Sequence, residues 1–273
     1  MINEHINLKQ FFPQLINDVY LDAFCPDNFE EFSTNRKRKS VLILPGGGYQ
    51  FISQRENEPI AIQFLKEDMN AFCLTYTVKD FTYPYPLIEV FAALIYIRKN
   101  AEKYHVIDDK IALLGFSAGG HLAASCAALY DDPQILEFFK VKENLLKPDL
   151  LLLGYPVITM DKKYTHLDTM KTITKENDEL IDKLSIEKHI FKKFPKTFIW
   201  LTSTDKDVHP FNSLNLAKAL VEQNIVCELH MYSRGQHGLA LASDITSFKN
   251  QSANYEEIQS WFTHCMSFIH LYL

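Results

Sequence analysis

Near the middle of the chain, four apolar residues, Ile111-Ala112-Leu113-Leu114, run into Gly115-Phe116-Ser117-Ala118-Gly119-Gly120 and then into an alanine-rich stretch from His121 to Leu129. A short all-apolar run ending in glycine reads as a strand buried on both faces of a sheet. The small residues beyond the turn suit a helix packed closely on that sheet. A side chain at Gly115 or Gly119 would crowd so tight a strand-to-helix turn. The chain is therefore committed to layers, with helices laid over a sheet.

The same alternation runs along the rest of the 273 residues. Strands are expected at Val41–Leu44, Ala71–Thr77, Leu150–Leu153, Thr197–Thr202 and Val226–Tyr232, and helices at Glu58–Lys66, Leu87–Arg98, Ser213–Gln223 and from Ala253 onward. Strands separated by helices imply right-handed crossovers and a mostly parallel sheet covered on both faces, with function at the carboxyl ends of the strands. The chain shows no internal repeat and reads as a single domain over 1–273. Between Tyr155 and Phe194 a polar stretch carries Ile173, Leu180, Ile181, Leu184, Ile186 and Ile190 at roughly helical spacing. It is expected to form a small helical lid, about 155–195, over those strand ends.

Composition removes several function classes. The chain is 47% hydrophobic, enough for one large core, and its net charge of −6 argues against a nucleic-acid-binding protein. The basic run Arg36-Lys37-Arg38-Lys39 stands directly before a strand and reads as a solvated loop. Five scattered cysteines without a CxxC pair read as reduced thiols, and no metal-ligand spacing is present. No stretch approaches the roughly 20 apolar residues of a membrane span, and Met1 to Gln10 lacks the features of a signal peptide. A cytoplasmic protein acting on a small molecule, without membrane or nucleic acid, is expected; a homo-oligomer stays open.

The chemistry gathers around Ser117. Gly115-Phe116-Ser117-Ala118-Gly119 fits GxSxG between strand and helix, the setting in which a strained turn lifts a serine hydroxyl above a sheet and the helix dipole assists it. Pro45-Gly46-Gly47-Gly48-Tyr49 follows the first core strand, where unobstructed glycine N–H groups, with that of Ala118, can meet a developing oxyanion. No GK[ST] follows, which disfavours a phosphate loop. His237, flanked by glycines after the last strand, is the candidate base. Asp205 or Asp207 would orient it; the strand ends at Thr202, which brings Asp205 nearer the sheet edge, while Asp207 approaches a helix start, where a carboxylate serves the dipole. The order Ser, Asp, His is that of the α/β hydrolases. Tyr49, Tyr155 and Phe211 adjoin these motifs and are candidates to line the substrate pocket, with core or rim packing the competing reading of each.

PGGGY, RENEPIA from Arg55 to Ala61, YPYP, GFSAGGHLAA, TDKDVHPFNS and ELHMYSRGQHG together resemble the acetylxylan-esterase-like branch of the hormone-sensitive-lipase superfamily, from about Val19 to the closing helix. The resemblance implies an α/β-hydrolase fold and a carboxylesterase that removes acetyl or other short acyl groups, often from sugars, with no cofactor. It implies Ser117, Asp205 and His237 as a triad, the acid through the DxxV pattern of Asp205 to Val208, and Gly47, Gly48 and Ala118 as oxyanion donors. Pro45 stands where many superfamily members have His, and His209 where relatives often have an apolar residue or proline.

Two other readings stay open. An arylformamidase-like amidase or a peptidase would use the same three side chains. A catalytically dead binding protein would keep the fold as a scaffold, but would ordinarily have lost one of them.

Overall fold

Alternate residues of the central strands serve two different cores. In the computed structural model, which describes residues 1–31, 33–79, 81–249 and 254–273, Leu42, Leu44, Leu113, Leu151 and Ile199 pack on one side of the sheet, and Val41, Ile43, Ala112, Leu152 and Trp200 on the other. Side chains of a strand point alternately to opposite faces, so strands apolar at every position require helices on both sides.

In chain order the elements are β1 (Ile2–Asn7), β2 (Tyr20–Cys25), β3 (Arg38–Leu44), α1 (Glu58–Lys66), β4 (Asn70–Thr75), α2 (Tyr85–Lys99), β5 (Val106–Phe116), α3 (Ser117–Leu129), α4 (Pro133–Phe139), β6 (Leu150–Gly154), α5 (Leu167–Thr174), α6 (Asp178–Lys183), β7 (Thr197–Thr202), α7 (Phe211–Glu222), β8 (Cys227–Tyr232) and α8 (Glu256–Tyr272). They build a sheet of order β1-β2-β4-β3-β5-β6-β7-β8. From β4 to β8 neighbouring strands are parallel, while β2 runs antiparallel to both β1 and β4. Helices α2, α3 and α7 contribute to one core, α1 and α8 to the other. Consequently β3, β5, β6, β7 and β8 all deliver their carboxyl ends to the same edge.

The two antiparallel strands were not expected. In β2, buried Leu21, Ala23 and Cys25 alternate with half-buried Tyr20, Asp22 and Phe24, and β1 is mostly exposed or half-buried. Such strands lack a continuous apolar run. The seven-residue α4 was also missed; Asp132 caps it by accepting from Gln134 N–H. Of the expected closing helix, Ala253 lies outside the described residues and α8 runs from Glu256. Among the described residues no helix is long and apolar enough to cross a membrane.

Between β6 and β7 stand the short α5 and α6, each opened by a side-chain cap, His166 accepting from Thr169 N–H and Asn177 from Leu180 N–H. Buried Asn212 of α7 anchors the start of this insertion: its Oδ1 accepts from Ile158 and Thr159 N–H, and its amide donates to Tyr164 O. Gln50 donates to Thr172 Oγ1 and Thr82 to Ile173 O. These bonds hold α5 beside the glycine loop that follows β3.

Candidate active site

The turn from β5 into α3 is as tight as its glycines suggest. A Cβ on Gly115 would come within 2.2 Å of Gly119 O, and one on Gly119 within 2.2 Å of Leu44 O, both backbone atoms that cannot step aside. Ser117 itself has φ 52°, a left-handed conformation uncommon for a non-glycine residue. It is the first residue of α3, so its side chain sits at the positive end of a helix dipole.

Ser117 Oγ lies 2.7 Å from His237 Nε2, and His237 Nδ1 lies 2.7 Å from Asp205 Oδ2. The Asp205 side chain is 2% exposed and that of His237 15%. Its second oxygen, Oδ1, accepts the N–H groups of Asp207 and Val208, each at 2.9 Å. Two backbone donors thus orient the Asp205 carboxylate independently of the histidine. Asp207, by contrast, is exposed on the cavity wall and touches this array through its backbone. Glycines at φ 132° and 73°, Gly235 and Gly238, bend the chain that carries His237.

The glycine loop supplies donors. Gly47 and Gly48 have φ 131° and 63°, and a Cβ on Gly47 would fall 1.9 Å from Phe51 O. Gly46 N–H is taken by Glu56 Oε2 at 2.7 Å. Those of Gly47 and Gly48 donate to no acceptor among the described residues, and both residues line the cavity that Ser117 and His237 enter. Ala118, in the first turn of α3, carries one of the N–H groups that a helix leaves unpaired.

The cavity holds about 300 Å³. Beyond the residues above, its wall includes exposed Phe51, Arg55 and, from the insertion, His166 and Asp168. Burial, with the nearby His237, holds the His166 imidazole below its ordinary range, which favours the neutral ring. Among the described residues no group of three His, Cys, Asp or Glu could hold a metal ion.

Three expected pocket residues do not line the cavity. Tyr49 is 1% exposed, its hydroxyl 2.9 Å from Nδ1 of buried His121. Tyr155 is 2% exposed; its hydroxyl donates to Glu56 Oε1 at 2.6 Å and accepts from Ala240 N–H at 2.9 Å. Each hydroxyl has a buried partner, and that makes enclosure of the whole ring favourable. Phe211 packs against Tyr164 and His209 on the surface. His209 has a local task there, stacking on Phe211 and accepting from its N–H at 3.2 Å. Conversely, Arg55, Glu56 and His166 reach the site without having been singled out. Arg55 and Glu56 had a signal in RENEPIA, two charges set between a glycine loop and an apolar helix.

Comparison with known proteins places this geometry in a wider group. The BD-FAE family pattern matches residues 21–220, which include Ser117 and Asp205. Endo-1,4-beta-xylanase B of Butyrivibrio fibrisolvens is 38% identical over 222 residues, 76% of this chain and 33% of that protein. The acetylxylan esterase of Xylanibacter ruminicola is 22% identical over 234 residues, 83% of this chain and 46% of that protein. The chain therefore spans between a third and a half of the length of these relatives. Among solved structures, an acetyl ester-xyloside bifunctional hydrolase from Caldicellulosiruptor lactoaceticus shares 28% identity at TM-score 0.83, covering 98% of this chain and 95% of that one. The carboxylesterase Cest-2923 from Lactobacillus plantarum WCFS1 shares 25% identity at TM-score 0.88, covering 99% and 97%. With the family pattern matched over well more than half its length, and with close structural relatives from end to end, the chain belongs to the BD-FAE family and has the α/β-hydrolase fold.

Proposed function

We propose that the chain is a serine carboxylesterase that hydrolyses short acyl esters, acetyl esters of carbohydrate alcohols above all, through an acyl-enzyme. The observation that carries this reading is the unbroken relay from Ser117 Oγ through His237 to the buried Asp205, at 2.7 Å per step, beside a loop whose Gly47 and Gly48 N–H groups donate to no acceptor among the described residues. Ser117 Oγ attacks the carbonyl carbon while His237 Nε2 takes its proton. The carbonyl oxygen becomes an oxyanion facing Gly47, Gly48 and Ala118, where each donor is worth about 3 kcal/mol to the transition state. His237 then protonates the departing alcohol, and water repeats the sequence to release the acid. Asp205 holds the tautomer that keeps Nε2 free to accept, and stabilises the imidazolium.

The carbohydrate alcohol is supported by the names of the relatives, an acetylxylan esterase, a xylanase and an acetyl ester-xyloside hydrolase, and by polar groups such as Asp168, His166 and Gln50 around the cavity. Purified protein assayed on acetyl, butyryl and octanoyl esters, acetylated xylo-oligosaccharide and N-formylkynurenine tests it. Acetyl esters should be turned over fastest and a fluorophosphonate should label Ser117. Preference for the formamide would replace the esterase reading by an amidase; an unlabelled, inert serine would leave a binding protein.

A further inference from the structure

Glu56 ends the short turn Gln54–Glu56 between the glycine loop and α1, is 2% exposed, and has no part in the scheme above. Burying a carboxylate is costly unless its oxygens are hydrogen-bonded. Both are, and to different loops. Oε2 accepts from Gly46 N–H at 2.7 Å, while Oε1 accepts from the Tyr155 hydroxyl at 2.6 Å. The Tyr155 oxygen accepts in turn from Ala240 N–H, three residues beyond His237, and the tyrosine ring lies edge-on to the imidazole with centroids 5.0 Å apart. Arg55, next in the chain, donates to Gly238 O and Thr246 O at 2.8 and 2.9 Å.

On the glycine side the same turn holds Gly46 at both ends, because Ser53 N–H donates to Gly46 O at 3.0 Å. A peptide unit is planar and trans, so fixing the Gly46 carbonyl fixes the Gly47 N–H to point the opposite way. Gly47 lines the cavity beside Ser117. The direction of a proposed oxyanion donor and the seat of the proposed base are thereby referred to one turn, to Ser53 through its backbone and to Glu56 through its carboxylate.

We propose that Glu56 is a positioning residue: its carboxylate holds the glycine loop and the histidine loop in a fixed relation, so that the donors and the imidazole address the same acyl carbon. The inference rests on the reading of Ser117 as nucleophile. A carboxylate suits the role because both of its partners donate, whereas a carboxamide has one accepting oxygen and would turn N–H toward the other.

Glu56→Gln and Tyr155→Phe, singly and together, test the idea with p-nitrophenyl acetate. Misplacing a site by about 1 Å can cost about 100-fold in rate. In Glu56→Gln kcat should fall by about 10- to 100-fold with KM nearly unchanged, and affinity for a trifluoromethyl ketone, which mimics the tetrahedral adduct, should fall by a similar factor. Tyr155→Phe should show a smaller loss of the same kind. Because both act through one bridge, the double variant should fall little below the worse single one. A folded Glu56→Gln with wild-type kcat, a loss carried by KM, or fully additive losses would each overturn the proposal. Should Glu56→Gln not fold, Tyr155→Phe, which removes a single oxygen, decides alone: a kcat loss at constant KM supports the bridge and wild-type kcat overturns it. Failure of the wild type to hydrolyse esters and take up fluorophosphonate at Ser117 would instead strike the functional reading itself.

Discussion

The glycine-rich turns around Ser117 and the helical insertion between β6 and β7 face each other across one cavity, yet backbone sterics dominate the first and side-chain bonds the second. Around Ser117 the backbone itself is fixed: φ is positive at Gly47, Gly48 and Ser117, and added Cβ atoms at Gly115 and Gly119 would strike main-chain oxygens. Beside main-chain bonds such as Tyr83 N–H to Ile173 O, the insertion is held by side chains, the caps His166 and Asn177 and the bonds through Gln50, Thr82 and Asn212. Caps of this kind are worth about 1 kcal/mol each. On the proposed function, bond-making belongs to the wall fixed by its backbone and choice of substrate size to the wall built by the insertion, and the contrast can be broken at several points.

The largest effect belongs to the rigid wall. Ser117→Ala should lower kcat by about 10⁶ with the melting temperature unchanged, since it removes one oxygen and adds no volume. More than a few per cent of residual rate in purified protein would show that the nucleophile lies elsewhere.

Next comes the pair of aspartates. Asp205→Asn should cost about 10⁴ in kcat by favouring the wrong histidine tautomer, whereas Asp207→Asn should leave kcat within about tenfold of the wild type. Collapse at Asp207 with Asp205 spared would reverse their roles.

The wall built by the insertion should appear in selectivity. With α5 beside the glycine loop and a cavity of about 300 Å³, kcat/KM should decline from acetyl to octanoyl esters, each unaccommodated methylene costing about 1–3 kcal/mol. A rising series would show that the insertion yields to long chains.

The smallest effect concerns the segment that touches both walls. Lys79 N–H donates to Tyr49 O and Thr82 bonds Ile173 O, and Glu89 anchors this segment by accepting from the N–H and hydroxyl of Thr77. Burial raises the Glu89 carboxyl from 4.5 to about 7. The folded chain therefore keeps a proton that the unfolded chain gives up, and this contribution to stability is complete below about pH 4.5 and is lost as pH rises through about 7. It amounts to at most about 3 kcal/mol. Denaturant melts at pH 5 and pH 8 should differ more in the wild type than in Glu89→Gln; equal pH dependence would remove Glu89 as the cause.

What the sequence disclosed follows the same division. Strands apolar at every position, and turns where glycine is sterically required, leave marks within a few consecutive residues. That is why β3 to β7, the GxSxG turn and His237 were readable. Interactions between distant residues leave none. Tyr155 and Glu56 are 99 positions apart, so the inward direction of the tyrosine and the task of the glutamate appear once the chain is folded. The antiparallel β1 and β2 were missed because a strand with one face half-exposed spreads its apolar residues among polar ones. His166 was hidden differently: it belongs to a polar stretch of unremarkable composition and reaches the cavity through the docking of α5.

The left-handed backbone at Ser117 also restricts which amino acids can carry a nucleophile there. Threonine offers the same hydroxyl, but its branched Cβ makes φ 52° a severe strain. Unbranched serine and cysteine differ little in shape at Cβ. The turn therefore acts as a filter on side-chain branching that operates before any chemistry does, admitting some nucleophiles and refusing others on conformational grounds alone.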